Sequence, residues 1–227
     1  MKIGLSYALE GEIESILNHT QAKRLETAGG VDIYEIEPDI FAFTGGVGKV
    51  NAAMGAQLFI DRYHPDWIVN AGVAGSFLDL PIGTMVLASN FVQHDVDTTA
   101  AGDPIGMVST VNQVVFPTDE AERLGAILTA QGVEHLVGRV ATGDVFMSGG
   151  ERADWVAETF EPALCEMEGG AVAQVCLRNG VKFAALKSVS DRLCRENNAE
   201  EYFNYPEAMA KLNAVVLPFA RALRDGE

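Results

Sequence analysis

Histidine and cysteine are scarce in this chain of 227 residues, which has 4 of the first and 3 of the second. Cys165, Cys176 and Cys194 form no CxxC pair, and no histidine stands at ligand spacing from them. That argues against a disulfide framework and against a zinc-type site, and it fits a reducing compartment. Cys165 and Cys176 read as small core hydrophobes. Cations are few as well, with 16 Lys and Arg against 32 Asp and Glu and a formal net charge of −16. A phosphate backbone is met with lysine and arginine, so nucleic acid is excluded as a partner, whereas a small neutral ligand is not. No apolar run is long enough to span a bilayer. The first residues enter a strand at once and reach Glu10 and Glu12 too early for a secretory signal. The expectation is a cytoplasmic protein with no membrane partner.

What the chain does have is an ordinary globular mixture, 48% hydrophobic and 21% charged, with no repeats and no linker. Strand-like and helix-like stretches alternate, which predicts one α/β domain over residues 1–227 with a mixed, predominantly parallel sheet. Lys2 to Tyr7 is a buried opening strand, and Ala8 to Asn18 has apolar residues at helical spacing. Glu12 therefore falls in the first turn of a helix that follows a strand directly. By itself that is an ordinary place for a glutamate, which favours the helix dipole there.

Three glycine-rich turns are expected at strand ends. Thr44-Gly45-Gly46-Val47-Gly48-Lys49-Val50 leads into a helix from Val50 to Tyr63, but it is neither a Walker loop nor GxGxxG. Asn70-Ala71-Gly72-Val73-Ala74-Gly75-Ser76 follows an apolar strand, and Gly143-Asp144-Val145-Phe146-Met147-Ser148-Gly149-Gly150 follows another. Such turns bring backbone N–H groups close to a ligand. In parallel α/β folds the carboxyl ends of strands are where ligands collect. Several strand ends of this kind point to one crevice, and an aromatic beside it, Phe146, offers a platform for a flat ring. Gln93-His94-Asp95 invites a metal reading, but no third ligand lies at suitable spacing, and a surface or interface role is expected. Thr98 to Asp119 is an irregular excursion, and Arg192 to Asn204 a polar loop before a closing helix from Pro206 to Arg224.

The most unusual stretch is Cys165-Glu166-Met167-Glu168-Gly169-Gly170-Ala171, where two carboxylates stand between an extended run and a small-residue helix. Charge beside a core is costly unless paired or used. If the strand continues, both glutamates share one face; if the helix has begun, they sit at its positive end. A further carboxylate, Asp191, ends the late strand from Lys182 and is either a cap or a crevice residue.

Taken in order, Glu12, GGVGKVNAA, NAGVAG, GDVFMSG, CEMEGGA and SVSD resemble the 5'-methylthioadenosine/S-adenosylhomocysteine nucleosidases of the purine nucleoside phosphorylase/uridine phosphorylase superfamily. The resemblance covers nearly the whole chain. It implies a three-layer α/β/α sandwich around a mixed sheet that closes into a partial barrel, a homodimer, and neither metal nor organic cofactor. It also implies roles. Asp191 matches the residue that protonates the purine at N7, and Glu12 the one that activates water. Glu168 matches the ligand of the ribose hydroxyls, with Met167 packing against the sugar and Glu166 supporting the site from the side. Phe146 matches the aromatic that stacks on adenine, the Phe146–Met147 backbone contributes base contacts, and Ser190 joins the substrate-binding set. Val47 and Phe203 line the sugar and 5' region.

Three positions depart from that pattern. Val73 replaces a serine, Lys187 replaces an arginine and loses its planar fork, and Ala101 stands where relatives often place a phenylalanine over the 5' substituent. The 5' group thus stays open among methylthio, homocysteinyl and futalosine-type nucleosides. A phosphorylase would want arginine over its anion, and near the first strand this chain offers Glu12 instead. A non-catalytic nucleoside-binding protein would be expected to lack an acid or base, and Glu12, Glu168 and Asp191 are all present.

Overall fold

The computed structural model describes residues 1–193 and 203–226. Most of the expected loop between Arg192 and Asn204, and Cys194 with it, lies outside them. Strands β1 (Ile3–Tyr7), β2 (Lys23–Ala28), β3 (Val31–Glu37), β4 (Ile40–Thr44), β5 (Trp67–Ser76), β6 (Met85–Gln93), β7 (Val115–Pro117), β8 (His135–Thr142), β9 (Leu164–Glu166) and β10 (Lys182–Arg192) form one 10-stranded sheet. The helices are α1 (Glu10–His19), α2 (Lys49–Tyr63), α3 (Ala121–Ala130), α4 (Glu151–Phe160), α5 (Gly169–Asn179) and α6 (Tyr205–Asp225).

The sheet closes on itself through β5, β10, β6, β8 and β9, each paired with the next and β9 back to β5. Outside that ring, β1 pairs with β5, and β4, β3 and β2 follow in turn. Parallel and antiparallel strand pairings are equally numerous, but the longest ladders, β5–β10 and β6–β8, are parallel, so the sheet is mixed and predominantly parallel by paired residues, as expected. The antiparallel share comes from the β2–β3–β4 meander, from β7 against β6, and from the joins that close the ring, where β10 meets β6 and β9 meets β5.

Alternation along the strands feeds two cores. Ile3, Leu5, Trp67, Val69 and Leu186 face a layer of α1, α3 and α6. Ile68, Ala74, Phe183 and Ala185 face α2 and α5, where Ala52, Ala56, Phe59, Val172 and Cys176 pack. This is the three-layer sandwich with a barrel-like centre. A smaller cluster seats α4 through Val156 and Phe160 beside Met147, Cys165 and Leu193.

Two expected boundaries are corrected. Asn70 to Ser76 is no turn: β5 runs through it, pairing with β10 from Trp67–Lys182 to Ser76–Arg192. Its small residues let neighbouring backbones and side chains approach the sheet closely. β10 likewise continues through Ser190 and Asp191 to Arg192, with a register shift between Val189 and Asp191. Such an irregularity re-aims a side chain at a strand's end.

Candidate active site

One cavity of about 440 Å³ opens at the carboxyl ends of these strands. It brings together all ten residues singled out from sequence: Glu12, Val47, Phe146, Met147, Glu166, Met167, Glu168, Ser190, Asp191 and Phe203. They come from distant segments, following β1, β4, β8 and β9 and lying on β10, with Phe203 just before α6. Leu9, Cys165 and Tyr205 also line it. Sequence reasoning passed these over because an apolar residue at a strand or helix end has no signature separate from core.

Glu12 is held by its own neighbourhood. Its Oε2 accepts from the backbone N–H groups of Ala8 and Leu9, both at 2.9 Å. That fixes the carboxylate at the start of α1, where the expected cap geometry and the cavity coincide. Burial pushes its pKa up, while the N–H of Leu9, the Lys187 ammonium and the N–H of Ala8 pull it partly back. Asp191 is also pushed up by burial, with Ser190 Oγ donating to its Oδ1 at 2.7 Å in the opposing direction. Gly75 makes room for it: a Cβ at that position would lie 2.9 Å from Asp191 Oδ2.

The two glutamates of the opening motif separate. Glu166 ends β9 and is buried, and both its oxygens are engaged within the protein. Thr142 Oγ1 donates to Oε1, and Lys187 Nζ to Oε2 at 2.9 Å. The N–H groups of Gly169 and Glu168 also donate to Oε2, at 2.7 and 3.2 Å. Burial opposes its charge, but Lys187 and these donors outweigh it and hold the carboxyl below its ordinary value. Glu168 stands at the N-cap position of α5 without a side-chain capping bond, and its Oε1 accepts from the N–H of Gly48 at 2.8 Å. Burial and the neighbouring Glu166 charge push it up to about 7.

Lys187 is the cation beside this group, with its side chain 2% exposed. A Cβ at Gly72 would lie 3.6 Å from Lys187 Nζ and 3.8 Å from Glu12 Oε1, so both polar ends reach over the same bare stretch of β5. Among the described residues no arginine lines the cavity. Phe146 and Phe203, 67% and 46% exposed, meet edge to face at 6.3 Å between ring centroids. Ala101 sits in a short helical turn, exposed and away from the cavity lining.

His94 corrects an expectation. It is no surface residue but is buried at the turn after β6, packed on Gly143 and 3.8 Å from Cys165 Sγ. The close approach of glycine backbone gives its ring room. Among the described residues no group of His, Cys, Asp and Glu is arranged to hold a metal ion.

The ring-closed sheet and its carboxylate-lined cavity define a nucleoside phosphorylase-like protein, and residues 2–221 match the profile of the phosphorylase superfamily. A 5'-methylthioadenosine/S-adenosylhomocysteine nucleosidase from Geobacillus thermodenitrificans is 34% identical over 223 residues, covering 94% of this chain and 93% of the relative. The structure of a nucleosidase of that name from Colwellia psychrerythraea, in complex with adenine, superposes with a TM-score of 0.86 at 32% identity, covering 98% of this chain and 96% of that one. A futalosine hydrolase mutant from Helicobacter pylori superposes with a TM-score of 0.89 at 26% identity, covering 97% and 99%. The chain belongs to the phosphorylase superfamily and, within it, to the 5'-methylthioadenosine/S-adenosylhomocysteine nucleosidase family.

Proposed function

We propose that the protein hydrolyses the N-glycosidic bond of 5'-substituted adenine nucleosides, 5'-methylthioadenosine and S-adenosylhomocysteine, releasing adenine and the 5'-thioribose. The observation that carries this is the pairing of two carboxylates, buried Glu12 and partly buried Asp191, in one cavity, each with a raised pKa and a hydrogen bond that orients it. Cleaving this bond develops positive charge on the sugar and negative charge on the departing base. An acid must protonate the purine while a base activates water. Asp191, whose protonated form is favoured by burial, is the donor to N7. Glu12, whose carboxylate form is favoured by the Leu9 and Ala8 N–H groups and by Lys187 against its burial, takes the proton from water.

The remaining residues orient the substrate. Phe146 stacks on the adenine, the Phe146–Met147 backbone and Ser190 flank its edge, and Glu168 accepts the ribose hydroxyls above Met167. Val47 and Phe203 border the 5' group. Glu166, its oxygens already occupied, acts through Lys187 and the start of α5. Phosphorolysis is disfavoured because Lys187 is committed to Glu166, and the carboxylates repel phosphate.

The same reading makes residues 1–227 one nucleosidase-type domain of a cytoplasmic enzyme in methionine salvage. It acts as a homodimer; exposed Val47, Val50 and Met54, along the start of α2, supply apolar surface for a second copy. Light scattering on the purified protein tests that state. The function is tested by adenine release from 5'-methylthioadenosine with and without phosphate. Equal rates are expected, and an absolute phosphate requirement would overturn the hydrolase. A panel adding S-adenosylhomocysteine, adenosine, inosine and futalosine decides the 5' group. Preferred cleavage of futalosine would move the protein to a second reading, futalosine hydrolysis, for which the likeness to the Helicobacter pylori futalosine hydrolase is the support.

A further inference from the structure

Gln93-His94-Asp95 is the sequence feature that the catalytic groups leave unexplained, and it stands at the end of β6 against two walls of the cavity. Three hydrogen bonds close a circuit there. Lys49 Nζ donates to Asp95 Oδ1 at 2.6 Å. The N–H of Asp144 donates to Asp95 Oδ2 at 2.9 Å, and the N–H of Lys49 donates to Asp144 Oδ1 at 2.7 Å. Gln93 Oε1 also accepts from Lys49 Nζ, at 3.3 Å. The Lys49 and Asp95 side chains are each 17% exposed, so solvent screens their attraction only in part.

The circuit ties the first residue of α2 to the turn after β6 and to the loop after β8. Two of these segments carry cavity residues one or two positions away. Gly48, whose N–H holds Glu168, immediately precedes Lys49. Phe146 and Met147 closely follow Asp144. Gly48 has φ +94°, and a Cβ on it would lie 2.9 Å from Asp144 Oδ1, so the carboxylate presses against that backbone. A negative group at the amino end of α2 is also electrostatically favoured.

We propose that Lys49, Asp95 and Asp144 are positioning residues whose circuit fixes the Gly48 N–H, and through it Glu168, in register with the loop that carries Phe146. This rests on the reading of Glu168 as the ligand of the ribose hydroxyls. Without the circuit the two loops lose their common anchor and Glu168 loses its fixed donor. Glu12 and Asp191 are held by other groups and keep their geometry. The effect therefore falls on binding of the hydroxylated sugar, which appears in KM.

The test compares Asp95→Asn, Lys49→Met and Lys49→Arg on 5'-methylthioadenosine and on its 2',3'-dideoxy analogue, which offers Glu168 nothing to hold. For the first two variants, KM for 5'-methylthioadenosine is expected to rise about tenfold, with kcat within about twofold. KM for the analogue rises clearly less, since it loses only the anchoring of the Phe146 loop, and Lys49→Arg recovers most of the loss. An equal rise for both nucleosides, or none, overturns the proposal. Calorimetric Kd values for the two nucleosides are measured alongside, with thermal midpoints to identify any variant that fails to fold; Lys49→Met carries the test if Asp95→Asn does not fold. If the wild type cleaves neither nucleoside, the hydrolase reading fails by itself. The Kd difference between the nucleosides then decides the circuit.

Discussion

Lys187 Nζ lies 2.9 Å from Glu166 Oε2, with both side chains 2% exposed, directly beside the carboxylate of Glu12. A buried pair of this kind adds little by itself, but removing one partner strands the other charge at a cost of about 3–5 kcal/mol. Lys187→Met should lose roughly that much stability, read from chemical denaturation midpoints. It should also move the acid limb of the kcat/KM profile to higher pH, because Lys187 favours ionised Glu12. An unchanged midpoint and limb would show that the pair has neither effect.

Asp191→Asn keeps the shape of the side chain and removes its transferable proton. Turnover of 5'-methylthioadenosine should fall about a hundredfold or more, with little change in melting temperature. The alkaline limb of the profile should disappear while the acid limb stays. Essentially intact turnover would remove Asp191 from the acid role.

Gly75→Ala tests the space that Asp191 needs. The new methyl would stand 2.9 Å from Asp191 Oδ2 and 3.1 Å from the Leu193 side chain, so the carboxylate must shift. A loss of about tenfold in kcat is expected in a protein that still folds. Unchanged kcat would mean that the carboxylate's placement tolerates the movement.

Glu168 makes stability depend on pH. Its folded-state pKa, about 7, lies above its ordinary value, so the folded protein favours the protonated form. That contribution is complete below the unfolded pKa and is lost as pH rises through the folded one. Glu168→Gln does not titrate. Its stability relative to the wild type should therefore improve between about pH 5 and about pH 8, measured by urea denaturation at both. A constant difference would contradict the raised value.

Strand β1, helices α2 and α5 and the strand β8 were legible because their spacing or small-residue composition is local information. The shared cavity at the strand ends was legible because glycine and carboxylates cluster there. What local pattern hid was pairing. Asn70 to Ser76 has the composition of a turn, yet β10 on one side, with β1 and β9 on the other, holds it extended. His94 next to Asp95 looked solvent-facing because nothing in sequence announces Gly143 and Cys165 as its neighbours. Likewise, Glu166 and Glu168 are near-identical in sequence and differ only through Lys187, Thr142 and Gly48, which arrive from distant segments.

In the sheet, the outer strands β1, β4, β3 and β2 join the ring through a single seam, β1 against β5, while β7 pairs separately with β6. Glu12 hangs from the outer side of that seam, and Asp191, Phe146 and Glu168 from the ring. On the proposed roles, the residue that activates water and the residues that meet the base therefore stand on separate halves of one architecture. On that reading, substitutions in the segment after β1 should alter the water-activating step, and substitutions in the ring's loops the recognition of the base, each largely without the other.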